Sequence, residues 1–238
     1  MLIAQAGWAN LHSRPFIFLA ACLLLLPEYG LLAQSGVRGR VVVPANDEFA
    51  EELLRERSLT RYEMHLHTTG DPVQPYRLSE KAVIYLESTE AASAAYDPPA
   101  LHPQLNQSQM LFRPLVLPVL VGTTVDFPNN DDLFHNVFSY SQPKEFDLGR
   151  YPRGHRRSVH FDHPGVVNVY CDIHSYMYAT ILVLENPYFV VPEDDGGYNI
   201  DHVPPGAYRI TFWYGRKKVS ERPVLIEEGK TTVVNFDY

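Results

Sequence analysis

Cys171-Asp-Ile-His174-Ser-Tyr-Met177 decides how this chain is read. It sets a thiolate, an imidazole and a thioether within seven residues, three metal ligands of graded softness. Strand-like runs flank it, Gly165-Val-Val-Asn-Val-Tyr170 before and Ala179-Thr-Ile-Leu-Val-Leu184 after, so the segment reads as a loop between strands. A further histidine stands upstream, in Phe127-Pro-Asn-Asn-Asp-Asp-Leu-Phe-His135-Asn-Val-Phe. One Cys, two His and a weak thioether form the donor set that holds copper in both of its common oxidation states. The candidate ligands are therefore His135, Cys171, His174 and Met177. The bland alternative makes Cys171 a small buried hydrophobe, His174 a loop residue and Met177 a core filler.

Before His135 runs Leu115-Val-Leu-Pro-Val-Leu-Val-Gly-Thr-Thr-Val-Asp-Phe127, which reads as two strands joined by a Gly-Thr turn. With these residues in view, the stretch from Phe112 to Leu184 resembles the cupredoxins, and within them the amicyanin- and plastocyanin-like members. Amicyanin shares the short Cys-x-x-His-x-x-Met loop. The whole chain is also similar to larger bacterial proteins, called methylamine-utilisation-like, that join such a domain to a carboxypeptidase-regulatory-like segment. The resemblance implies an all-β fold: a Greek-key cupredoxin β-sandwich with a small transthyretin-like or carboxypeptidase-regulatory-like β segment. It implies His135, Cys171 and His174 as equatorial ligands of one type 1 copper ion and Met177 as the axial one. It also implies that Asn136 donates its backbone N–H to the thiolate sulfur. The chain departs from amicyanin beside the later histidine, where Ile173 and Ser175 replace prolines. Asp172 puts a carboxylate next to the cysteine, and the cost of burying it predicts that it points to solvent.

The chain has 238 residues with a net charge of −8, and 12 Phe, 15 Tyr and 19 Pro favour short strands and turns over long helices. An acidic balance lacks the basic surface of a nucleic-acid binder. Arg14 introduces the apolar run Pro15-Phe-Ile-Phe-Leu-Ala-Ala-Cys-Leu-Leu-Leu-Leu26, too short for a membrane-spanning helix. Residues 1–33 read as a secretory signal peptide, with cleavage after Ala33. A lipoprotein box ending at Cys22 is the rival. Cys171 is the only cysteine beyond residue 22, so no disulfide can form within the mature chain. A lone thiol in an oxidising compartment is a liability unless a metal holds it. The expected location is periplasmic or otherwise extracytoplasmic, with no transmembrane span in the mature chain.

Residues 34–108 hold N-terminal strands, Gly36 to Val43 and Lys81 to Glu87, around an insertion over 45–80 with a short helix expected from Asp47 to Arg57. Residues 109–187 form the copper-binding domain, where 136–158 must cross the sandwich and return. Gly149-Arg-Tyr-Pro-Arg-Gly-His-Arg-Arg157 is a basic cluster there, either a solvated loop or a docking patch for an acidic partner. Residues 188–238 form the regulatory-like β segment. His65 and His67 could pinch a second metal from one strand face, although two ligands hold a metal poorly.

The expected function is periplasmic electron transfer with an unidentified redox partner protein. Leu133, Phe134, Ile173, Tyr176 and Tyr178 are expected to form an apolar docking patch around His174. A copper carrier or store is the alternative, and a metal-free interaction module a third. An enzyme is not expected, and an oxidase or nitrite reductase ranks last.

Overall fold

The computed structural model describes residues 34–44, 75–90 and 95–238. The leader, Cys22, the 47–57 helix and the His65/His67 pair lie outside the described residues. In chain order the strands are β1 (Gly36–Val42), β2 (Ala82–Ser88), β3 (Asn106–Ser108), β4 (Leu111–Arg113), β5 (Val116–Leu120), β6 (Thr123–Pro128), β7 (His135–Ser141), β8 (Lys144–Tyr151) and β9 (Arg156–Phe161). They continue as β10 (Gly165–Tyr170), β11 (Tyr178–Leu184), β12 (Phe189–Val190), β13 (Gly197–Ile200), β14 (Gly206–Tyr214), β15 (Lys217–Ile226), β16 (Thr231–Val233) and β17 (Phe236–Asp237). One helical turn, α1 (Leu78–Lys81), precedes β2, with Glu80 accepting the Arg77 backbone N–H at 2.9 Å. The fold is all-β, as the sequence implies.

The central sheet runs β5-β11-β10-β7-β8. Strand β11 is its spine: it pairs in parallel with β5 and antiparallel with β10, and Ala179 to Val183 are buried on both faces. The two strands expected between Leu115 and Phe127 exist but do not pair with each other. Strand β5 joins β11, whereas β6 pairs with β9 in a separate two-stranded sheet. The stretch expected to cross and return is a tight hairpin of β7 with β8, and the crossing is made afterwards by β9.

Two hydrophobic cores flank strand β2, which serves both by strict alternation. Val83 and Tyr85 belong to the core built on β4 to β11. Ala82, Ile84 and Leu86 belong to a second core with Val37, Ile210, Phe212 and Phe236. Successive side chains of a strand point to opposite faces, so a run apolar at every position signals burial on both. Each such side chain removed from water contributes roughly 1.5–3 kcal/mol. Strand β2 pairs with β14 and β12, while β1 pairs with β13, β16 and β17, so the N-terminal strands are completed by C-terminal ones. Two glycines permit this closure. A Cβ on Gly39 would lie 1.7 Å from the Val234 carbonyl oxygen. Gly196 (φ +89°) carries the turn before β13, and a Cβ there would meet the Val41 oxygen at 2.1 Å.

Candidate metal centre

Strand alternation places the site. On β10, Val167 and Val169 face the core, and Cys171, two residues on, continues that face. On β11, Ala179 and Ile181 face the same core, and Met177 continues it in the other direction. Tyr170 pairs with Tyr178, so Cys171 and Met177 stand opposite each other at the mouth of the hairpin, and the Cys171 N–H donates to the Met177 oxygen at 3.3 Å. The Met177 N–H donates to the His174 oxygen at 2.9 Å, which folds the loop back on itself. His135 opens β7, which lies beside β10 through the Tyr170–Phe138 pair.

The loop and the strand end thus bring three donors together. Ligand atoms of His135, Cys171 and His174 all lie within 4.8 Å of one another, and all three residues are buried. His135 Nδ1 is 3.0 Å from His174 Nδ1, and His174 Nδ1 is 3.8 Å from Cys171 Sγ. Two imidazole nitrogens aimed at each other beside a thiolate is an arrangement a shared cation relieves. Met177 is fully buried in the adjoining core, and Asn136, beside His135, is buried. Among the described residues no carboxylate joins the cluster, which suits a borderline-soft ion over calcium or magnesium. The residues therefore fit copper.

Electrostatics favour the thiolate. Burial pushes the Cys171 thiol up, but hydrogen bonds from His135 and His174 and from the backbone N–H groups of Asn136 and His174 outweigh it. The thiol comes down to about 6. The backbone N–H groups of Asn136 and His174 thus both favour the thiolate. The Asn136 side chain donates to Asp147 at 2.7 Å. For His135, burial lowers the basicity, and the bonds to Asp131 and Cys171 raise it by more.

Asp172 points outward, as its cost of burial requires, and is ion-paired with Arg150 at 2.9 Å. Arg153 pairs with Asp132, Arg156 with Asp126, and Arg157 lies over the Tyr151 ring. Each arginine of the basic cluster therefore has a partner of this chain. Within the expected apolar patch, Phe134 is exposed and Leu133 and Ile173 are half-buried, but Tyr176 and Tyr178 are buried. Tyr176 packs against the His174 ring, and Tyr178 lies beneath Arg216 with its hydroxyl on Asn168 and Thr180. Among the other histidines, His102 bonds Asp126 and His160 bonds Thr124. Sequence reading passed over Asp131, whose carboxylate is 2.9 Å from His135 Nε2 and which stands within an Asn-Asn-Asp-Asp run.

No family model matches the chain, and no curated protein matches it. Solved structures do. A copper-containing nitrite reductase from Thermus scotoductus is 30% identical over 42% of this chain and 26% of its own, with a TM-score of 0.35. This chain thus spans about a quarter of that enzyme. A purple cupredoxin from Nitrosopumilus maritimus is 26% identical over 34% of this chain and 99% of its own, at a TM-score of 0.32. A reduced amicyanin variant is 19% identical over 44% of this chain and 99% of its own, at 0.34. The all-β class read from the sequence is the one observed. One expectation is corrected. The sequence reading set enzymes aside and ranked a nitrite reductase last. A nitrite reductase among the similar structures overturns that exclusion.

Proposed function

We propose that this chain is a cupredoxin-type copper protein whose work is electron transfer. His135 Nδ1, Cys171 Sγ, His174 Nδ1 and the Met177 thioether would hold one ion. Bound copper supplies a one-electron couple, Cu(II)/Cu(I). The chain's residues do the rest. Strands β7, β10 and β11 fix the donor positions, so little reorganisation accompanies the change of charge. Backbone N–H groups of Asn136 and His174 stabilise negative charge on sulfur. The apolar core behind Cys171 and Met177 excludes water. The observation that carries this reading is the convergence of three buried donors within 4.8 Å.

Electrons would pass at the His174 edge, next to exposed Phe134 and half-buried Leu133 and Ile173, where a redox partner docks. The leader-like 1–33 segment and the lone mature cysteine support a place outside the cytoplasm; among the described residues no helix is long and apolar enough to cross a membrane. We retain the division into 34–108, 109–187 and a regulatory-like 188–238 as part of this proposal, together with the likeness to methylamine-utilisation-like proteins. The test is Cys171→Ser: the variant is expected to lose the intense thiolate-to-copper absorption entirely. A variant that stays blue contradicts the assignment.

A further inference from the structure

The carboxylate of Asp131 stands behind His135, on the side away from the donor cluster. Its Oδ2 is 2.9 Å from His135 Nε2. An ionised carboxylate only accepts, so Nε2 must carry a proton; when a metal replaces any proton on Nδ1, the Nδ1 lone pair faces Cys171 and His174. The carboxylate is itself locked. Oδ1 accepts the Gln109 N–H at 2.6 Å, and Oδ2 accepts the Met110 N–H at 2.8 Å. Both donors sit at left-handed φ, +55° and +58°, in the turn between β3 and β4. The Asp131 N–H in turn donates to Asn129 Oδ1 at 2.9 Å. Asn129 is fully buried, and its amide grips the carbonyls of Leu133 and Tyr151. One acid therefore ties the β3–β4 turn, the loop before β7 and the imidazole into a single rigid unit.

We propose that Asp131 is the positioning residue of the metal centre: it fixes the tautomer and ring orientation of His135 and, through its charge, favours the oxidised ion over the reduced one. This rests on the copper reading above. A carboxylate partner raises the basicity of a ligating imidazole, and loss of such a partner costs about 10–100-fold in metal affinity. The more highly charged Cu(II) gains most from that basicity. The β3–β4 turn, far from the ligands in sequence, thereby becomes part of the site.

Asp131→Asn keeps the shape and removes the charge. In the Cu(II)-loaded protein it is expected to weaken Cu(II) binding about tenfold or more. If Cu(I) affinity is unchanged, tenfold raises the reduction potential by about 59 mV, the one-electron equivalent. In metal-free wild type, NMR is expected to show an exchange-protected His135 Nε2–H that Asp131→Asn loses. An unchanged potential and unchanged Cu(II) affinity, with only a lower melting temperature, would reduce Asp131 to a structural tether and overturn the proposal. So would an unprotected Nε2–H in wild type, a measurement that needs neither copper nor a folded variant. A wild type that stays colourless with Cu(II) would sink the copper reading instead, leaving the Nε2–H result to decide the placement of the proton.

Discussion

Cys171 sits where two opposing pressures on a thiol meet, an apolar core on one side and four hydrogen-bond donors on the other. The donors win, bringing the thiol from its ordinary 9.0 to about 6. Its linkage to stability is present above pH 9 and is lost as pH falls through about 6, because the folded chain binds fewer protons there than the unfolded one. His135 runs the other way: its pKa is raised above 6.5, so its contribution is present at lower pH and lost as pH rises through the raised value. The two oppose, which makes thiolate absorbance a cleaner probe than melting. Metal-free protein is expected to gain thiolate absorbance with a midpoint near pH 6, and His135→Gln to move that midpoint upward. A midpoint near 9 in the wild type would contradict the hydrogen-bonded geometry. At this scale the sequence was most informative for residues whose chemistry is rare: Cys, His and Met at close spacing announce themselves. Asp131 did not, because a surface-like Asn-Asn-Asp-Asp run conceals which carboxylate turns inward. Tyr176 and Tyr178 misled for the same reason, since a tyrosine beside a ligand reads equally as rim or as wall.

Strands were legible where alternation or continuous apolar character was strong. Gly165–Tyr170 emerged with the expected bounds, and β2 within a residue of them. Pairing was not legible, because partners are chosen by tertiary packing: β5 and β6 adjoin in sequence yet enter different sheets. The β7–β8 hairpin was read as a crossing loop because β8 (Lys-Glu-Phe-Asp-Leu-Gly-Arg-Tyr) has one half-exposed face and little β-branching. The second core makes a test at this scale. Phe212 is fully buried there against Phe236, with ring centroids 5.5 Å apart. Phe212→Ala is expected to cost about 3–5 kcal/mol in chemical denaturation. The visible spectrum of the folded variant should be unchanged, because Phe212 belongs to the core that holds no ligand. A shifted spectrum would mean the two cores are coupled more closely than their separate memberships imply.

Across the whole molecule, β2 is the element on which both cores depend, and β14 holds it along its full length. The C-terminal strands are therefore structural partners of the N-terminal ones, and Arg216, in the turn after β14, reaches Tyr178 beside the ligand loop. A chain ending at residue 187 would bare Ala82, Ile84 and Leu86 together with the Trp213 side of the first core. It is expected to lose cooperative thermal unfolding, while the full chain melts in one transition. A truncated chain that melts sharply near the full-length temperature would contradict that dependence. This interlocking was partly visible in the sequence, since the C-terminal run is too small to make a core alone. That it borrows the first strands was one of two readings its size allowed, but the direction of pairing was not visible, because parallel pairing of β1 with β16 and β17 leaves no local mark. The most direct test of the central claim is the visible absorption and EPR spectrum of the purified protein given one equivalent of Cu(II). The account predicts an intense thiolate-to-copper band with narrow copper hyperfine splitting. A colourless protein, or one with the wide splitting of copper bound only by nitrogen and oxygen, would contradict it.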